Sequence, residues 1–126
     1  MSSFDSKNLK VVKGIASLLE QRRCENVLIL NVSGLSQISD FLIIASGTSE
    51  RQMRAVSSEV INSTRDHGIN LARQSVDSHG TWVVLDFIDF VAHLFEPNRR
   101  RYYDLESLWS DAPRVSFLKD NLQNES

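Results

Sequence analysis

Apolar residues recur at spacings of three and four between residues 6 and 23: Leu9, Val12, Ala16 and Leu19, with Ile15 and Leu18 widening the stripe. That period predicts an amphipathic helix, with Ser3 or Asp5 as its cap and Gly14 as a slight weak point. Val27 to Val32 is a continuous apolar stretch broken by Asn31 and closed by the polar Asn31–Gly34 region, which predicts a buried strand. Phe41 to Ala45 is apolar at every position, the mark of a central strand covered on both faces. It runs into Ser46-Gly47-Thr48-Ser49. Ser49 followed three residues later by Gln52 has the form of a capping box. The helix it opens carries Met53, Val56, Val60 and Ile61 and stops at Gly68, after His67.

Ile69 to Val76 predicts a shorter, more polar strand, and Asp77-Ser78-His79-Gly80 a turn. Thr81–Asp86 and Phe90–Phe95 flank Phe87-Ile88-Asp89 as an antiparallel hairpin. Pro97 suits the first turn of a last helix, expected to run to about Trp109 and to end at Ala112-Pro113. The order αββαβββα predicts an α/β class: a single-domain sandwich with a mixed, roughly five-stranded sheet. The domain spans residues 1–113. Residues 114–126 read as a polar C-terminal tail, with Phe117, Leu118 and Leu122 as its sizeable apolar anchors.

Composition narrows the function classes. With 126 residues, 41% of them hydrophobic, the chain supplies one real core. Its longest apolar run, Phe41–Ala45, is far short of the roughly 20 residues of a membrane span, so no membrane partner is expected. The first residues lack a basic segment followed by an apolar one, which predicts a cytoplasmic protein. The single cysteine, Cys24, excludes an intramolecular disulfide and a cysteine metal cluster, and reads as a small core residue. A net charge of −2 argues against nucleic-acid phosphate as the main contact.

Four constellations bear on chemistry. The strand–Gly47-Thr48-Ser49–helix junction is a place for an anion, but it lacks the glycines and lysine of a phosphate loop, and a serine-capped turn explains it. Asp86 and Asp89 flank the hairpin turn and Asp40 precedes a strand, so they serve magnesium binding or ordinary turn chemistry, with turn chemistry favoured. His67, His79 and His93 lack metal-ligand spacing, and His93 reads as a hydrogen-bonded sheet histidine. Arg99-Arg100-Arg101 covers most of a helix circumference and suits nucleic-acid phosphate, acidic protein or plain solvent. No cofactor and no metal are predicted. The aromatic signal is stronger than any of these. Trp82, Val84 and Asp86 alternate onto one sheet face, with Val83 and Leu85 on the other. Tyr102, Tyr103, Leu105, Leu108 and Trp109 exceed what one buried stripe requires, so some are expected at the surface as interface anchors.

The run Asp40 to Gln52, the tryptophan strand Trp82 to Asp86, the strand Asp89 to Phe95 and the segment Arg101 to Pro113 form an ordered set. This set resembles the Iojap family of ribosomal silencing factors. The resemblance covers about residues 6 to 113. It implies a fold related to nucleotidyltransferases without their activity. It implies docking on the large ribosomal subunit, through the universally named large-subunit protein fourteen at the intersubunit face. Subunit joining would then be blocked by steric exclusion and translation repressed under nutrient limitation. Homodimers are frequent in the family, and the near-neutral charge leaves rRNA only a minor contact. The expected partner-binding residues are Trp82, Val84, Asp86, Arg101, Tyr103 and Glu106, with Tyr103 and Glu106 placed on one helix face by their spacing of three. The competing class is a nucleotidyltransferase-like, magnesium-dependent enzyme using Gly47, Ser49, Asp86 and Asp89. It is disfavoured because no close Asp-x-Asp pair stands beside the Gly-Ser turn. A further reading is an assembly scaffold whose dimer is its working form. One departure is Ile88, where the family usually has glycine. A β-branched residue resists positive φ, so a different turn conformation is expected there.

Overall fold

A computed structural model describes residues 3–117, with side chains from Lys7 onward. The elements are α1 (Ser3–Gln21), β1 (Glu25–Asn31), β2 (Phe41–Ser46), α2 (Glu50–Asp66), β3 (Arg73–Val76), β4 (Trp82–Asp86), β5 (Phe90–Phe95), α3 (Pro97–Tyr103), α4 (Leu105–Leu108) and β6 (Arg114–Val115). The strands form one mixed sheet in the order β3-β4-β5-β2-β1-β6. β2 and β5 run parallel, and every other neighbouring pair is antiparallel. All six residues of β2 are buried, as its unbroken apolar run requires.

One face of the sheet is closed by α1 and α2. Val12, Ile15 and Leu19 from α1 and Met53, Val56 and Val60 from α2 pack on Ile29, Ile43, Val83, Leu85, Phe90 and Leu94. The other face is covered unevenly. Leu105, Trp109 and Ala112 pack over Leu30, Val32, Leu42 and Ile44, so the C-terminal segment shields β1 and β2. On β4 and β5, Trp82, Val84, Asp86, Val91 and His93 are only half-buried on that face.

The structure departs from the sequence expectations in four places. α1 begins at Ser3, and the cap assigned to Ser3 or Asp5 concerns side chains outside the described residues. β3 is confined to Arg73–Val76, because Ile69 and Leu71 pack partly against the core as a connection. The last helix is two short helices, broken at Asp104, whose φ of 46° is left-handed. The sheet has six strands rather than five: Arg114 and Val115, expected to open the tail, pair with Leu30 and Ile29. Val115 and Phe117 then pack against the main core. Leu118 and Leu122 lie outside the described residues.

Candidate functional site

Trp82 owes its position to the turn before it. Asp77 Oδ1 accepts hydrogen bonds from the backbone N–H of Thr81 at 2.6 Å and of Trp82 at 3.0 Å, and Oδ2 accepts from the Thr81 hydroxyl. Desolvation pushes the Asp77 carboxyl up, but these bonds and Arg99 together hold it below its ordinary value. The β4–β5 register places Trp82 opposite Phe95 and Val84 opposite His93. The indole therefore stacks on Phe95, with centroids 4.9 Å apart, while its Nε1–H donates to His93 Nδ1 at 3.0 Å. Tyr103 comes from the end of α3 and lies 4.6 Å from the Trp82 ring, centroid to centroid. Tyr102 meets Tyr103 edge-on at 5.1 Å. The cluster is rooted in the core through Phe95, which is fully buried, and ends at the surface through Tyr103, which is 46% exposed.

The remaining expected site residues are dispersed along the same side of the fold. Val84 continues the half-buried face of β4. Asp86 closes that face at the far end of the strand, where its Oδ1 accepts the Ile88 N–H at 2.8 Å. Its carboxylate is thus committed to the turn as well as reachable. Ile88 adopts a left-handed φ of 76°, the region that a β-branched residue resists. Arg101 is exposed on α3 and contacts the Asn98 side chain.

Glu106 does not share a helix face with Tyr103, contrary to what its spacing predicts. The break at Asp104 takes it off the Tyr103 helix and turns it back onto Arg100. Arg100 is 7% exposed. Its Nε and one terminal nitrogen donate to the two Glu106 oxygens at 3.2 and 3.3 Å, and its other terminal nitrogen donates to Ser46 Oγ at 2.9 Å. Of the three arginines in the run, the middle one is a structural pin rather than a surface charge. Around it a cleft of about 470 Å³ is lined by Ser46, Arg100, Arg101, Glu106 and Arg114, among others.

The Gly47 junction has a structural explanation. Gly47 N–H bonds Phe95 O at 2.8 Å, and a Cβ at Gly47 would lie 2.1 Å from Met53 Cγ. Ser49 Oγ accepts from Gln52 N at 3.0 Å, while Gln52 Oε1 accepts from Thr48 N, one residue earlier than a standard capping box would have it. Among the described residues no group of three or more His, Cys, Asp or Glu is placed to hold a metal ion. Cys24 is buried in the core, and desolvation pushes its thiol pKa up. No helix among the described residues is long and apolar enough to cross a membrane.

The family model described as ribosomal silencing factor during starvation matches residues 5–126. The chain belongs to the ribosomal silencing factor family. It is 35% identical over 108 residues to the ribosomal silencing factor of Halalkalibacterium halodurans, covering 86% of this chain and 92% of that protein. It superposes on a crystal structure from Chromobacterium violaceum with a TM-score of 0.76 at 29% identity, covering 86% of this chain and 90% of that one. A more distant relative is the mouse protein named for mitochondrial assembly of the ribosomal large subunit, 28% identical over 102 residues, of which the match spans 43%. The site residues expected from the sequence leave out His93, Phe95 and Arg100, although His93 reads as a hydrogen-bonded sheet histidine and Arg100 as part of a charged run. The signal for the first two was present, since an antiparallel hairpin closing at Phe87–Asp89 puts residues 93 and 95 on the Trp82 face.

Proposed function

We propose that the protein is a non-enzymatic repressor of translation that docks on the large ribosomal subunit and blocks subunit joining. The observation that carries this reading is the half of one sheet face that stays only half-buried among the described residues. There Trp82 and Tyr103 stand half-exposed over a rigid Phe95 base, next to Val84 and Val91, with Asp86 at the margin. A fixed aromatic anchor set in apolar surface with polar groups at its edge is the usual anatomy of a protein interface. The family membership supports a ribosomal partner. We assign the contact to the universal large-subunit protein fourteen at the intersubunit face, with Trp82, Val84, Asp86 and Tyr103 as direct contacts. Arg101 adds a positive rim and a minor rRNA contact, Glu106 acts through Arg100, and the cellular site is the cytoplasm. We also assign a homodimer, as the family resemblance implies.

The test is co-sedimentation with separated ribosomal subunits, together with thermal unfolding of the same variants. Tyr103→Ala is expected to stay folded and to lose about 2 kcal/mol of large-subunit affinity. Equal binding to both subunits, or wild-type affinity in Tyr103→Ala, would overturn the assignment.

The competing enzyme reading draws no support from the acidic residues, because Asp86 caps the Ile88 turn and Gly47 serves Met53 packing. Nucleotide turnover above background that disappears in Asp86→Asn would restore it.

A further inference from the structure

The open half of the sheet face carries one polar group whose hydrogen-bonding role is set before any partner arrives. His93 stands on β5 directly across from Val84, with Val91 and Phe95 two residues away on the same face. Its Nδ1 accepts the Trp82 indole N–H at 3.0 Å. An indole nitrogen donates and never accepts, so Nδ1 carries no proton. The neutral ring must therefore hold its proton on Nε2. Burial keeps the ring neutral, with a pKa pushed down to about 4 although the Asp86 carboxylate draws it up. Nε2 makes no hydrogen bond among the described residues, yet it is not sealed in the interior. What results is a pre-oriented N–H donor amid the half-buried apolar Trp82, Val84 and Val91.

A partner covering this face removes water from that donor. A buried donor without an acceptor is costly, so a fitting partner must offer an oxygen at that point. Asp86 lies on the same face and repels a second carboxylate. A neutral carbonyl oxygen, main-chain or amide, meets both conditions. We propose that His93 determines specificity on the docking face: its Nε2–H, fixed by Trp82, donates to a neutral carbonyl oxygen of the partner protein. This rests on the reading that the face docks on the large subunit.

Two arms test it. In the free wild-type protein, ¹⁵N NMR of the imidazole is expected to show the Nε2-protonated tautomer at neutral pH. The Nδ1-protonated tautomer would overturn the proposal without any variant. In the second arm, affinity for isolated large subunits and thermal unfolding are measured for His93→Met, for His93→Gln and for a chain with a methyl group on His93 Nε2. The methylated ring keeps the Trp82 bond, loses the donor and adds one methyl group, so it is read together with His93→Met, which adds no bulk at that nitrogen. It and His93→Met are expected to bind about tenfold or more weakly, with His93→Gln recovering part of the loss because its amide N–H reaches toward the same place. Wild-type affinity in the methylated chain sinks the proposal. Tyr103→Ala separates the two failures. If it binds weakly while the methylated chain binds normally, only the donor assignment is wrong. If it too binds normally, the docking face itself is misplaced.

Discussion

At Ile88 a β-branched, 56% exposed side chain occupies a left-handed backbone conformation. Such a residue is about 1–2 kcal/mol less comfortable there than in the right-handed region. Three bonds hold the turn: Asp86 Oδ1 accepts the Ile88 N–H, the Ile88 carbonyl accepts the Ser39 hydroxyl at 2.7 Å, and Phe87 N–H closes onto Phe90 O at 3.0 Å. Ile88→Gly removes the strain at some cost in unfolded-chain entropy. We expect a net gain of about 0.5–1 kcal/mol, seen as a higher urea midpoint at unchanged slope; a lower midpoint would show that the turn is not strained. His93 is the other residue whose local setting has a measurable consequence. Its folded pKa of about 4 lies below its ordinary 6.5, so the unfolded chain takes up the proton first as pH falls. The stabilisation from keeping it neutral is complete above about pH 6.5 and is lost between there and about pH 4, a change on the order of 3 kcal/mol. His93→Gln should flatten the stability–pH curve in that window, and a curve as steep as the wild type's would place the titration elsewhere.

At the scale of elements, the junction from α3 to α4 shows how a buried ion pair outweighs a continuous helix. Nothing in Arg101 to Trp109 forbids helix: there is no glycine and no proline in the stretch. The chain nevertheless turns at Asp104, a residue type that tolerates the left-handed region. The turn brings the Glu106 carboxylate onto a guanidinium that β2 and β1 have already enclosed, through Ser46 Oγ and Glu25 O. Removing one partner of such a pair leaves a buried charge uncompensated. The Glu106 side chain is 31% exposed, so water can replace it in part, and Glu106→Ala is expected to cost about 1–2 kcal/mol of stability. Glu106→Gln, which retains an acceptor, should cost less. If Glu106→Ala weakens ribosome binding at unchanged thermal stability, the residue is a direct contact after all. The β2–α2 junction makes a second element-scale case. Gly47→Ala would push a Cβ into Met53, and a loss of about 1–3 kcal/mol is expected in chemical denaturation.

Among the described residues the sheet has one face covered by α1 and α2 over its central strands and the other covered only in part. α1 and α2 bury the first face. Among the described residues Leu105, Trp109 and Ala112 pack over β1 and β2 on the second, while Trp82, Val84, Asp86, Val91 and His93 of β4 and β5 stay half-buried. The net charge of −2 and the aromatic character of the open half together predict protein-mediated docking. Large-subunit affinity should then fall less than about tenfold between 50 and 200 mM salt, where phosphate-dominated binding falls by roughly a thousandfold or more. A steep salt slope would move the main contact from the aromatic face to Arg101 and its neighbours.

Periodicity alone determined the helices at residues 6–23 and after Ser49, the central strand Phe41–Ala45 and the hairpin around Phe87–Asp89. In each of these a local pattern and the tertiary environment ask for the same thing. Alternation likewise put Trp82, Val84 and Asp86 on one face. What sequence could not settle were features created by residues distant along the chain. β6 exists because the edge of β1 offers unpaired backbone groups to Arg114 and Val115, which carry no strand signal of their own. Arg100 is buried because Ser46 and Glu25, more than fifty residues earlier, supply its acceptors. Glu106 follows Arg100, and the left-handed Ile88 turn is held in part by Ser39, far earlier in the chain. Sequence spacing reports what a residue's own helix or strand will do; an ion pair or a strand edge from elsewhere in the chain acts only once the fold has brought the two together.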